Sequence, residues 1–284
     1  MYYLFTLFVS ILMVTGCASQ QPLTNPSTVA QSPLPIESEP STSAIRKFDK
    51  ETIERLGAAI YEQDIRAATA TDLLLIRKLD LVSEGLKGWV VEGDKKSMLI
   101  RFVRSKDDKL EAFYDVKFEE DKLPYIEIPQ DRTLTETQQA QYNARNLALQ
   151  HITRPASRRY NTVVLPDPEG DGFLVYALAA TTDPNKVMVG GHYRFTVSKD
   201  GQRLEQSDEL FKSFLELDKS SIGLGVDMKT AMMMVSTLIS DMPLETHVYL
   251  SLLHEIPLGV ITPGNRVWQI QEGKISVLID DVSK

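Results

Sequence analysis

One cysteine, Cys17, stands in a chain of 284 residues, so no disulfide can form within it and the fold must be held by packing alone. Cysteine catalysis and thiolate metal sites are excluded on the same ground. The sequence is 43% hydrophobic and 25% charged, ordinary for a globular protein, and after the first residues no run approaches the length of a transmembrane helix. A net charge of −8 repels phosphate backbones and argues against a nucleic-acid partner.

Tyr2 to Val14 is almost unbroken apolar sequence, the length of a signal-peptide hydrophobic region and short of the about 20 residues a spanning helix needs. It runs into Val14-Thr15-Gly16-Cys17. That ending resembles the lipobox of bacterial lipoprotein precursors. The resemblance covers only this targeting segment, and it departs from the pattern in having no Lys or Arg before Arg46. It implies that residues 1–16 are a signal peptide and that Cys17 carries a thioether diacylglycerol and an N-acyl chain such as palmitate. At about 0.8 kcal/mol per buried methylene, such a set of chains is a durable membrane anchor. Ala18 and Ser19, rather than Asp, follow the cysteine, which by the same resemblance implies the outer membrane, facing the periplasm.

Residues 17–47 then read as lipidated cysteine plus disordered tether, rich in Pro, Ser, Thr and Gln. About 30 such residues have a reach on the order of 30 Å. From Phe48 the pattern changes. Asp49 fits an N-cap with Phe48 stapling onto Ile53, and Ile53, Leu56, Ile60, Ala67 and Leu74 recur at helical spacing, with Asp64 a polar interruption and a break expected near Thr69 to Thr71. Gly88 to Glu92, Ser97 to Arg104, Leu110 to Phe118 and Tyr125 to Ile128 read as a meander. In its third strand Ala112, Tyr114, Val116 and Phe118 should face inward and Glu111, Asp115 and Lys117 outward. Thr133-Leu134-Thr135-Glu136 fits a capping box opening a second helix that stops before Pro155.

Residues 48–154 thus form a helix-meander-helix region, and residues 155–284 a mainly β region, continuous with it or separate. Asn161 to Leu165, Phe173 to Ala180 and Val187 to Val197 are the clearest strands, with Phe173 to Ala180 central and covered on both faces. Asp200-Gly201 signals a hairpin, while Leu204 to Leu217 fits a helix or a bent strand. Ala231 to Ile239, Thr246 to Leu253, Leu258 to Thr262, Arg266 to Ile270 and Lys274 to Ile279 read as strands, with Met232, Met233 and Met234 filling core. The expected fold is α+β, predominantly antiparallel sheet with an N-terminal and a mid-chain helix.

Few residues carry a chemical signature. Asp167-Pro168-Glu169-Gly170-Asp171-Gly172 resembles the first half of a calcium loop, but the twelfth position is Leu178, so it reads as a turn between strands. His151, His192, His247 and His254 show no zinc spacing. His192 and Arg194, after Gly190-Gly191, are expected to face solvent on one strand, and Arg154, Arg158 and Arg159 to be a solvated loop cluster. There is no Gly-x-Ser-x-Gly, no Ser-x-x-Lys, no Walker motif, and Gly223-Leu224-Gly225 lacks the third glycine of a dinucleotide loop. The expectation is a lipid-anchored envelope lipoprotein with a non-enzymatic binding, structural or inhibitory role. Its partners would be the membrane, through Cys17, and an envelope protein, with no cofactor, metal or catalytic residue. The alternative is an envelope hydrolase acting on cell wall or glycan, built from scattered carboxylates.

Overall fold

The computed structural model describes residues 44–78, 80–153, 159–181, 183–212, 214–219 and 232–280. The leader, Cys17, most of the expected tether, Arg154, Arg158 and Gly223-Leu224-Gly225 lie outside the described residues. The fold is α+β and mostly sheet, with three helices and fourteen strands among the described residues.

Helix α1 (Lys50–Leu75) is the spine. Asp49 caps it, accepting from the Thr52 amide at 2.7 Å, with Phe48 buried ahead of it. The helix continues through the expected break, because the Thr69 and Thr71 hydroxyls donate to the carbonyls of Ile65 and Ala67 at 3.0 and 2.7 Å and so stay within the helical bonding pattern. Its first half belongs to one core: Ile53, Leu56 and Ile60 pack with Leu174, Tyr176, Leu258 and Val260. Its last turns belong to another, where Ala70 and Leu74 meet Ile100 and Phe102. Asp64, between the two, is buried and accepts from Asn161 Nδ2 at 3.1 Å and Tyr249 Oη at 2.8 Å. Burial lifts its carboxyl above the usual range, against the pull of those two donors.

The meander forms as expected: β1 (Leu86–Gly93), β2 (Ser97–Lys106), β3 (Lys109–Glu119) and β4 (Tyr125–Glu127) pair in sequence order, all antiparallel. The alternation expected along β3 fails at a bulge, where Phe113 and Tyr114 together oppose Phe102. Asp115 does not face solvent either. It is buried, paired with Arg101 through two bonds of 2.8 and 2.7 Å, while Arg101 Nη1 donates at 3.2 Å to Gln138 of α2 (Glu136–Gln150). The capping box of α2 is Thr135 with Gln138, two residues later than expected, since Gln138 rather than Glu136 reaches back to the cap.

Helix α2 then lies on the second sheet. Its small residues Ala140, Ala144 and Ala148, at i, i+4 spacing, pack on Phe173, Val175, Tyr193, Phe195 and Val197. Strands β5 (Arg159–Pro166) and β6 (Phe173–Ala180) pair antiparallel, and β6 is covered on both faces as expected. The expected strand from Val187 to Val197 is two strands, β7 (Lys186–Met188) and β8 (Tyr193–Val197). The break falls at Gly191, whose φ of +87° and a virtual Cβ 2.3 Å from the Phe214 ring admit no side chain. After the Asp200-Gly201 hairpin, β9 (Leu204–Glu209) completes the sheet order β5-β6-β8-β9, and β10 (Glu216–Asp218) pairs with β7.

The last sheet runs β11-β12-β13-β14: β11 (Met233–Ser236), β12 (Leu258–Ile261), β13 (Val267–Gln271) and β14 (Lys274–Ile279), with β11 and β12 parallel. Met233 enters the core, but Met234 turns outward, its sulfur over Gly259 where a Cβ would lie 2.2 Å away. Thr246 to Leu253 is not a strand. It is α3 (Glu245–His254), of which Glu245 to Ser251 are all buried, so it shows no amphipathic period, and its β-branched residues misdirect a propensity argument.

Helices α1 and α3 touch at Gly57. A Cβ there would lie 2.4 Å from Val248 Cβ and 2.7 Å from the Glu245 carbonyl oxygen. Gly57→Ala should therefore lower stability by about 1 kcal/mol or more, overpacking outweighing the gain in helix propensity. An unchanged urea midpoint would contradict this packing.

Candidate functional site

Of the residues singled out by their chemistry, Arg194, Asp167 and Glu169 are brought to one place, through partners that carry no sequence signature. Tyr176 of β6, Arg194 of β8 and Asp208 of β9 are cross-strand neighbours in one row. Arg194, expected at the surface, is fully buried. The polar face of β8 is roofed by Phe48 and by the first residue of α3, Glu245. Arg194 Nε and Nη2 donate to Asp208 Oδ2 at 3.0 and 2.7 Å, Nη1 donates to Glu245 Oε1, and Nη2 also to the Arg46 carbonyl. Tyr176 Oη donates to the same Glu245 oxygen at 3.0 Å, and Gln206 Nε2 to Asp208 Oδ1 at 2.8 Å.

A second arginine extends the network outward. Arg46 donates to both Asp167 oxygens at 2.6 and 2.8 Å and to Glu169 Oε2 at 2.8 and 3.1 Å. The acidic turn between β5 and β6 thus holds a guanidinium. Phe48 lies between the two cations, its ring centroid 5.0 Å from Arg46 Cζ and 4.8 Å from Arg194 Cζ. Residues ahead of Phe48 are thus part of the fold: the Ala44 carbonyl accepts from Gln206 Nε2 at 3.5 Å, Ile45 packs on the core and Arg46 holds Asp167.

Burial opposes the charge on Arg194, but Glu245, Tyr176 and Asp208 outweigh it and hold the guanidinium protonated above its ordinary range. The Tyr176 phenol is driven far up by burial and by Glu245. Burial also resists ionisation of Asp167, and the Arg46 bonds overcome it, leaving the carboxyl below its usual range. Beside this network lies a cleft of ≈ 110 Å³ walled by Phe48, Ile53, Met242 and Leu244, with the Lys47–Asp241 pair (2.9 Å) at its rim. It is smaller than the roughly 300–1,000 Å³ of drug-sized ligand sites.

His192, also expected at the surface, is buried. Its Nδ1 accepts from the Ala179 amide at 3.0 Å and its Nε2 donates to the Met188 carbonyl at 2.9 Å. His247 is buried too, its Nδ1 accepting from the Leu244 amide at 2.8 Å at the start of α3. The two rings stand edge-on to Phe211, at 5.8 and 5.1 Å between centroids. His151 bonds the Leu147 carbonyl and His254 ends α3, so the four histidines do not meet. Asp208 sits across the Asp200-Gly201 hairpin from Arg194, a pairing that hairpin register could have flagged. Glu245 stands one residue ahead of the segment Thr246 to Leu253, expected as a strand and found as helix.

The outermost strand presents a different kind of surface. On β14, Val277, Leu278 and Ile279 are 47, 46 and 45% exposed in succession, Leu278 standing in a bulge opposite the Val267–Trp268 step. The charges flanking them are already paired: Lys274 with Glu54 at 2.9 Å and Asp280 with Arg266 at 2.8 Å.

Arg194→Met should cost about 3–5 kcal/mol, because Asp208 and Glu245 would stay buried without their cation. An unfolding free energy within 1 kcal/mol of the parent, allowing ~1 kcal/mol for error, would contradict this. A second expectation concerns pH. Burial lowers His192 from 6.5 to about 4, and burial together with His192 lowers His247 to about 3. The unfolded chain therefore takes up protons below pH 6.5 that the folded chain refuses. Stability is full above that pH and is lost as pH falls toward 4, by about 1.4 kcal/mol per pH unit for each histidine. Urea midpoints from pH 7 to 4 should show the slope, and His192→Gln should reduce it.

No family model, curated protein or solved structure matches this chain, which leaves its own chemistry as the guide to function.

Proposed function

We propose that this protein is a lipid-anchored cell-envelope lipoprotein, held to the outer membrane through Cys17, whose folded part binds an envelope protein rather than catalysing a reaction. The apolar strip Val277-Leu278-Ile279 carries this reading. Side chains of this kind left in water on an edge strand favour a partner that removes them from it. With Lys274 and Asp280 neutralised from within, the strip offers apolar contact and no net charge, which suits a protein surface and not a phosphate or a sugar. The buried carboxylates support the same reading. Asp115 and Asp208 each hold an arginine of the neighbouring strand and Glu245 ties α3 to β8, which is structural work.

The test is crosslinking in the cell with the anchored chain, comparing the parent, Leu278→Asp and Cys17→Ala. The parent should capture one abundant protein. Leu278→Asp, half-exposed and so neutral for folding, should lose at least about 90% of that capture, a penalty of about 1.4 kcal/mol or more. Cys17→Ala should lose it by misrouting. Equal capture by Leu278→Asp and the parent would reject the strip as the contact, and hydrolysis of peptidoglycan or glycan by the purified chain would reject the non-enzymatic role.

A further inference from the structure

Arg145, half-buried where Arg194 is fully enclosed, is treated quite differently. Arg145 lies on α2 beneath β1 and against β5. Its Nε donates to Thr162 Oγ1 at 2.8 Å and its Nη1 to Asn146 Oδ1 at 3.3 Å, both neutral oxygens. The Trp89 ring covers one face of the guanidinium at 5.3 Å. Nη2 bonds nothing among the described residues, and no carboxylate lies within ion-pair distance of the group. Arg101, Arg104 and Arg194 all hold carboxylates in a chain where 39 acidic residues outnumber 31 basic ones. Surroundings this dry pull the guanidinium below its ordinary range, the desolvation being opposed only weakly by Tyr142.

Around Arg145 the donors outnumber their acceptors. A cleft of ≈ 10 Å³ opens beside it, room for one oxygen-sized group. Gln63 and Gln141 line it with Arg145. Gln141 Oε1 accepts from the Val91 amide at 3.3 Å, which leaves its amide N–H groups over. Gln63 Oε1, an acceptor, is buried there without a partner and so meets a hydroxyl rather than a bare oxyanion. Gly88 keeps the approach open: its φ is +146°, and a Cβ there would press on Nη1 from 3.1 Å.

We propose that this cleft is an anion site, in which Arg145 and Gln141 hold one oxygen of a carboxylate or phosphate group. The cation missing its counter-ion is completed by the ligand, as planar guanidinium groups complete oxyanions elsewhere. The site is formed by α1, β1, α2 and β5 and is independent of the β14 strip, so it stands or falls apart from the protein-partner reading.

Urea unfolding of the full chain in acetate or inorganic phosphate, against chloride at equal ionic strength, tests this, with tryptophan emission as a second readout because Trp89 covers the guanidinium. At ten times its Kd, the bound anion lowers the unfolding equilibrium constant about 10-fold. A response to phosphate alone assigns a phosphoryl ligand, to acetate alone a carboxylate, and either supports the site. Arg145→Met should abolish the response with the chain still folded, since Arg145 is half-buried and its aliphatic stem is replaced by one of similar length. Gln141→Glu should abolish it while stabilising the free protein, because it supplies the carboxylate in cis. The proposal is overturned if neither anion exceeds chloride, which leaves a water-filled cleft, or if Gln141→Glu responds as the parent does.

Discussion

Arg194 has no contact with water, and a guanidinium so placed is tolerated only when carboxylates and other acceptors take the place of water, as Asp208, Glu245 and the Arg46 carbonyl do here. That requirement propagates. Asp208 fixes the register of β9 on β8, Glu245 fixes where α3 starts, and the Arg46 carbonyl fixes the path by which the chain enters α1. Phe48, seated between two guanidiniums, then sets the first turn of α1 on the same spot. Through Arg46 the order reaches the β5–β6 turn.

Without a disulfide, the molecule needs another way to unite its halves, and α1 provides it. The helix is long enough that Ile53 and Leu74 belong to different cores, so neither core can dissolve without unseating the other's helix. The polar residues at the middle of α1 follow from that position. Gln63 and Asp64 lie where one apolar cluster has ended and the next has not begun, facing α2, β5 and α3. A polar interruption in a helical stripe is here a junction between cores, not an exposed face.

Elements whose period survives burial were legible. The meander, β6 and β14 were read within a residue or two because strand alternation, continuous apolarity and turn residues are local properties. The Asp49 cap was legible for the same reason. The failures share one cause. Arg194, His192 and Asp115 are polar residues on the face of a strand, which a sequence alone assigns to solvent, and each is covered by an element from elsewhere in the chain: Phe48 and Glu245, the β6 and β7 backbones, or α2. Helix α3 failed in the complementary way, since complete burial erased the period that would have marked it as helical.

The two arginines therefore separate stability from function more sharply than any motif does. Where an arginine is buried to hold a fold, its carboxylates come from the fold itself, as Asp208 and Glu245 do for Arg194. Arg145, half-buried, has neutral oxygens, an aromatic face and a glycine in place of anions. An acidic chain has carboxylates in excess, and one substitution, such as a glutamate at Gln141, would supply the missing charge. On the proposed reading the counter-ion arrives from outside and leaves again, which a carboxylate built into the chain could not do.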